Sequence, residues 1–264
     1  MTSARRRTSK SSSAAVPVEA HRLLLSRYGP LGWWPAKTPL EVCVGAVLTQ
    51  NTAWSNVERA LANLRAAGVL DDARAMLALP AARLEALLRP AGFFRVKARR
   101  LRALLEWIVD RGDGDAAAAL RGDPVALRAE LLAVHGVGRE TADSLLLYAA
   151  GHPIFVVDAY TRRVAGRHGW RDPAEDYDRM REWFEAGLPR DARVYNELHA
   201  EVVIVGKEHC RPAPRCDGCP LEPLLPRGGP RLLPGEDATS RAAPRAGSAR
   251  TRAGARAPAR SRAR

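Results

Sequence analysis

Residues 131–160 read LLAVHGVGRETADSLLLYAAGHPIFVVDAY, and the fold turns on the glycines in the middle of that stretch. Leu127, Leu131 and Val134 precede them at helical spacing, and Ala142, Leu145, Leu146 and Ala149 follow at the same spacing. Gly136-Val137-Gly138 therefore joins two helices. Glycine reaches positive φ without steric cost, which allows a tight hairpin, and Val137 is placed to plug that hairpin into a core. The N–H groups freed at the turn, those opening the second helix and the adjacent Arg139 suit the binding of a phosphate.

Two other readings of the glycines stand beside this one. Gly136-x-Gly138, with Asp158 twenty residues past Gly138, has the outline of a dinucleotide-binding fingerprint. That fingerprint needs a strand before its first glycine and Gly or Ala at position 141; here a Leu/Ala helix precedes, and position 141 is Thr. An ordinary helical hairpin without a ligand remains open.

Length and charge narrow the class. A chain of 264 residues is long enough for two compact domains and a sizeable core. The formal charge is +13, but it sits at the ends: residues 1–18 carry four Lys/Arg and no acid, and residues 238–264 carry eight Arg and no acid. The terminal stretches are rich in Ala, Ser, Pro, Gly and Arg without apolar periodicity, so tails over 1–17 and 228–264 are expected to be disordered. Such tails attract any polyanion in a salt-dependent way, or they only solubilise. No run of 18 apolar residues exists, which excludes a membrane-spanning helix, and the N-terminus lacks the apolar region of a secretory signal. The N-terminus is Arg- and Ser-rich, as transit peptides are, but without their amphipathic order. A cytoplasmic, nucleoid-associated monomer is expected.

Helices are predicted at 18–28, 39–48, 54–64, 73–79, 81–88 and 96–110, then at 160–168, 177–186 and 194–207. Asp123-Pro124 begins the helix that leads into the hairpin, with a turn region over 112–123 before it. No convincing alternating strand is present, so the class is all-α. Trp33 and Trp34 lie in the loop Gly29–Pro35, where they either pack or form an aromatic platform for a base. The polar run Thr49-Gln50-Asn51-Thr52 interrupts an apolar helix and needs partners; Asn51 or Thr52 would cap the helix from Trp54. Arg95, Lys97, Arg99, Arg100 and Arg102 form a basic run that reads as a solvated helix face. Asp158 follows the apolar run 154–157 at the start of a helix, which fits an N-cap as well as a catalytic carboxylate.

Taken together, LLAVHGVGRETA and VVDAYTRRVAGRHG resemble the helix-hairpin-helix DNA glycosylases of the endonuclease III superfamily. The resemblance implies a helical barrel over 39–156 that carries the hairpin. A second helical domain would combine 18–38 with 157–227, and duplex DNA containing a damaged base would bind across the cleft. It makes Asp158 the catalytic aspartate, Gln50 the side chain that fills the gap left by an extruded base, and Gly136, Val137, Gly138 and Arg139 the DNA-binding hairpin. Bifunctional members hold a Schiff-base lysine where this chain has Glu140. A glutamate forms no imine, so a monofunctional glycosylase is expected. The WWP loop and the NTAW turn are similar to the endonuclease III-like 3-methyladenine branch, which makes Trp33, Trp34 and Trp54 a base pocket able to stack on a cationic purine. The alternatives are a bifunctional glycosylase/lyase acting on oxidised pyrimidines and a non-catalytic DNA-binding protein.

Cys210-x5-Cys216-x2-Cys219, in a chain without a secretory signal, argues for metal over disulfide. Many members of the resembling family hold a [4Fe–4S] cluster at this place with four cysteines, but about six residues past Cys219 this chain has Leu225. Cys43 lies in a buried helix of the other domain. Three readings stay open: a cluster on Cys210, Cys216 and Cys219 with an outside ligand, a zinc site completed by His209, or a loop that binds nothing. Some members of the alkyladenine branch lack the cluster and use a modified lysine, for which Lys207 is the nearest candidate.

Overall fold

The computed structural model describes residues 15–236, and these are helical throughout, with no strand among them. In chain order the helices are α1 (Ala15–Tyr28), α2 (Pro39–Thr49), α3 (Trp54–Ala66), α4 (Ala73–Ala78), α5 (Ala81–Leu88) and α6 (Phe94–Gly112). They continue as α7 (Ala116–Ala119), α8 (Pro124–Ala133), α9 (Arg139–Ser144), α10 (Ala159–Arg167), α11 (Tyr177–Ala186) and α12 (Ala192–Glu208). Acid or hydroxyl caps begin most of the later helices, because the first N–H groups of a helix have no partner inside it. Asp123, Asp176 and Asp191 each accept backbone N–H bonds at the starts of α8, α11 and α12, and Thr38 does so for α2.

Two buried clusters divide the apolar residues. The first runs from Leu40 to Ile154 and takes in α2 to α9. The second joins Ala20 and Leu24 of α1 to Phe155, Val156 and Val157 and to the buried faces of α10, α11 and α12. The seam falls inside the second hairpin helix, which ends differently from the sequence expectation. After Ser144 it widens into a π-helical turn over Leu145–Ala149, with Ala150 N donating to Leu145 O at 3.1 Å. That widening changes the register: Leu145 and Leu146 enter the first cluster, whereas Leu147 enters the second. Such single π turns recur at functional sites because they reset which side chains face a cleft.

Several local expectations are corrected. The 112–123 region contains the short helix α7, whose approach is so close that a Cβ on Gly112 would meet Ala119 N at 2.5 Å. Helix α3 is not capped by Asn51 or Thr52: Ala53 holds the cap position without a side-chain bond, and Asn51 adopts φ 55. The expected tails extend into described residues, where 15–17 are helical and Arg231 N donates to Arg167 O. The remainder of both tails lies outside the described residues.

The basic run is the clearest correction. Only Arg95 and Arg99 are plainly exposed; Lys97 is 2% exposed. Its ammonium donates to Leu48 O at 2.9 Å and Ala91 O at 2.7 Å, the unpaired carbonyls that end α2 and the turn before α6. Burial, with Arg100 nearby, pushes the Lys97 amine down to about 8. A helix-face reading fails here because two helix ends converge on one position and need a donor. Lys97→Met, similar in length but unable to donate, is expected to cost about 1–3 kcal/mol in urea unfolding, the penalty for orphaned buried carbonyls.

Candidate active site at the seam of the two cores

Asp158 stands at the start of α10, just past the seam. Its Oδ1 accepts from Thr161 N at 2.7 Å and from Thr161 Oγ1 at 2.9 Å, so the carboxylate is indeed the helix cap. Both of those bonds fall on one oxygen. The other, Oδ2, lies 3.8 Å from Nε2 of His199, a buried residue of α12. On the far side of that imidazole, Tyr148 Oη is 2.5 Å from Nδ1. Glu140, in the first turn of α9, completes the group. Crowding by protein, then the field of Asp158, raises its carboxyl to about 7 against the opposing pull of Arg162. Glu140 still meets solvent at its outer side, so this shift carries little weight for folding.

Tyr148 also belongs to an aromatic cluster. Its ring centroid is 5.0 Å from that of Trp34, and Trp34 meets Trp54 edge-on at 5.1 Å. Both indoles lie over α2 at Gly45, where an added Cβ would touch Trp34 and Trp54 at 3.5 Å each. Trp33 stands farther out, 6.3 Å from Trp34, with the Lys207 ammonium 5.8 Å from its ring. Of the three tryptophans, Trp34 and Trp54 thus share one pocket wall with Tyr148, and Trp33 flanks it. Glu197 of α12 holds the loop from behind, accepting from Leu31 N at 2.7 Å and Gly32 N at 2.9 Å.

Across the seam, Val137 is 6% exposed and plugs the first cluster, as its place between the glycines predicts. Gly136 alone takes a positive φ of 85; Gly138 is extended at φ −94. A Cβ on Gly136 would collide with the Arg100 side chain, whereas one on Gly138 meets nothing within 4 Å. The two glycines therefore serve different ends: one shapes the turn, and the other leaves the start of α9 open to an approaching chain. Gln50 is tied to this hairpin, donating to Gly136 O at 3.1 Å and Thr141 Oγ1 at 3.0 Å, while Arg100 donates to its Oε1 at 2.5 Å. Arg139 turns away toward α11 and pairs with Asp176 at 2.7 Å and Asp178 at 3.3 Å.

The sequence pattern of the HhH-GPD superfamily base excision DNA repair proteins matches residues 44–190, more than half of the chain. A "putative DNA repair glycosylase" of Methanocaldococcus jannaschii is 46% identical over 203 residues, covering 76% of this chain and 92% of its own. The chain belongs to the HhH-GPD superfamily. It is a DNA glycosylase of base excision repair. A Helicobacter pylori 3-methyladenine DNA glycosylase bound to 1,N6-ethenoadenine matches with a TM-score of 0.65 at 28% identity, covering 75% of this chain and 98% of the other. An endonuclease III in non-covalent complex with DNA has the same fold, with a TM-score of 0.68 at 22% identity over 81% of this chain and 95% of the other.

The cysteine loop of this glycosylase does not offer a four-thiolate donor set. Cys210, Cys216 and Cys219 line one small pocket, but Leu225, a hydrocarbon, is on the wall where a fourth sulfur is needed. Arg167, 1% exposed, also lines that pocket and donates to Cys210 Sγ at 3.5 Å. Among the described residues no group of three or more His, Cys, Asp or Glu side chains is arranged to hold a metal ion. The expected cluster thus finds three sulfurs in a pocket braced by a guanidinium.

Tyr148 and His199 escaped the sequence reading. His199 lies within the apolar run of α12 and Tyr148 ends the apolar run of the hairpin helix, so both read as core. The available signal was the density of polar residues in α12, with Asn196, Glu197, His199 and Glu201 in a helix that is otherwise largely buried; buried polar groups need partners.

The two glycines make separable predictions. Gly136→Ala is expected to destabilise the fold by about 1–3 kcal/mol, from strained φ and the Arg100 collision, and to lower the melting temperature. Gly138→Val is expected to leave melting unchanged and to weaken binding to an abasic-site duplex by about tenfold, because it blocks only close backbone approach. Fluorescence anisotropy and thermal melting on both variants separate the effects.

Proposed function

We propose that this glycosylase is monofunctional and releases alkylated purines from duplex DNA by hydrolysis. The observation that carries the proposal is Tyr148, which joins the pocket to the carboxylate: its ring lies against Trp34, and its hydroxyl holds the histidine that faces Asp158. A purine seated on Trp34 and Trp54 therefore comes within one side chain of the Asp158 group. An N3-methylated adenine is cationic, and electron-rich indoles favour it by roughly 0.5–2 kcal/mol. The likeness to a 3-methyladenine glycosylase supports the same substrate class.

In the reaction, the C1′–N bond breaks with its electron pair leaving on the base, and the sugar develops positive charge. Asp158 stabilises that charge through Oδ2, which its capping bonds leave free. Water then adds to C1′ and gives up a proton, leaving an abasic site. Glu140 occupies the position of the family's lysine, and a carboxylate there cannot trap the sugar as an imine. Gly138 and the start of α9 receive a phosphate. Gln50 enters the gap left by the base only by exchanging its three hydrogen bonds at the hairpin for contacts with DNA. The proposed chemistry uses no ligand at the cysteine loop.

Single-turnover release from duplexes carrying one 3-methyladenine or one oxidised pyrimidine tests this reading. Alkylpurine release is expected, without a strand nick and without covalent capture by borohydride, and Asp158→Asn is expected to abolish it while DNA binding persists. Pyrimidine release with borohydride capture would overturn the monofunctional assignment. Glu140 adds a pH signature. With its carboxyl raised to about 7, it is neutral below that pH and ionised above, where its charge joins that of Asp158 beside the sugar cation. The release rate is expected to rise through pH 7, and Glu140→Gln to remove that inflection while keeping activity.

A further inference from the structure

We infer that His199, held in one tautomer by Tyr148, is a positioning residue that aims the free oxygen of Asp158 when a base enters the pocket. The inference rests on the role proposed for Asp158. Its first support is the hydrogen-bond inventory. Tyr148 is half-buried beside carboxylates, its ionisation opposed by burial and by Asp158 and Glu140, so the phenol keeps its proton, and among the described residues the imidazole of His199 is the partner that proton meets. His199 Nδ1 is its acceptor, at 2.5 Å. A neutral imidazole that accepts at Nδ1 carries its proton on Nε2. Burial disfavours the imidazolium against the opposing pull of Asp158, which keeps the ring in that neutral form.

The Nε2–H that results is sealed from solvent and has no hydrogen-bond partner. The carboxylate oxygen facing it, Asp158 Oδ2, is 3.8 Å away. That distance is too long for a hydrogen bond, yet a buried donor without an acceptor is uncommon and costly. Catalytic hydrogen bonds are often long in the free enzyme and tighten in the complex. Here the element that closes the gap is visible. Tyr148 touches Trp34 on one side and His199 on the other, so a base stacked on Trp34 bears on the phenol, and the phenol on the imidazole. Oδ1 cannot follow, because Thr161 holds it twice. Occupancy of the pocket is thereby passed to Oδ2, the oxygen that faces the sugar.

The test uses the full chain and single-turnover release of 3-methyladenine, with DNA affinity measured on the same duplex. His199→Phe keeps the ring's bulk and loses the donor; it is expected to slow release on the order of 10–100-fold, the loss typical of an outer partner that orients a reacting group, with affinity unchanged. His199→Gln restores an N–H donor and is expected to recover most of the rate, which loss of packing alone would not allow. Tyr148→Phe removes one oxygen, frees the tautomer and is expected to fall between them; it carries the test if His199→Phe fails to fold. If Asp158→Asn abolishes release while both His199→Phe and Tyr148→Phe retain the full rate, this inference alone is wrong. If Asp158→Asn itself retains release, the role of Asp158 fails, and the positioning role fails with it.

Discussion

One oxygen of Asp158 caps α10, and the cleft is arranged around the other. A capping carboxylate is anchored by the helix it begins: Thr161 supplies both a backbone and a hydroxyl donor to Oδ1, so that oxygen is fixed at the start of α10 while Oδ2 is not. The cap also explains why the residue sits at the seam. Phe155, Val156 and Val157 bury themselves in the second cluster, so the chain emerges at 158 beside the end of the hairpin helix and within reach of α12. The structural duty and the proposed chemical duty fall on one side chain without conflict because they use different oxygens.

Helix α12 does the complementary work. Glu197 holds the aromatic loop by two backbone N–H bonds, His199 faces Asp158, and Glu201 takes His21 of α1 at 2.8 Å. Three polar side chains two residues apart thus bind three separate parts of the molecule. The helix tolerates them because each reaches a partner, His199 through its Nδ1 contact with Tyr148. Gly206 lets the same helix meet α10 closely, since a Cβ there would strike the Tyr160 ring. The distance between the aromatic pocket and the carboxylate is therefore set by a single rigid element, as a preorganised site requires.

How much of this was legible in the sequence depended on whether the signal was local. Helical spacing, Pro124 after Asp123 and the glycine pair are local, and the helices stand close to where those features put them. Val137 behaves as its place between two glycines demands. The failures share a physical cause: each involves a polar group whose partner lies far along the chain. Lys97 reads as part of a charged surface until α2 and the turn before α6 bring two unpaired carbonyls to it. Gln50 reads as a polar side chain in need of a partner, and the partner proves to be the hairpin, 86 residues later. Tyr148 and His199 are 51 residues apart, and no periodicity links them. The π turn is invisible for another reason: its residues are good helix formers, and the seam between two cores selects the wider register.

The charge balance of the cleft bears on the proposed chemistry. Asp158 and Glu140 face each other closely enough that Asp158 helps raise the Glu140 carboxyl to about 7, while Arg162 only partly offsets them. A lysine at position 140 would pair with Asp158 and cancel its field until the amine was consumed in an imine. A glutamate there does the opposite, reinforcing the negative potential where a sugar cation forms. This charge balance accords with the proposed release of cationic bases, whose departure leaves positive charge on the sugar. The aromatic wall points the same way, since indole faces attract a cation and discriminate poorly among neutral rings. On the proposed function, Glu140 and the two tryptophans over Gly45, although on different elements, answer to the same property of the substrate: its charge.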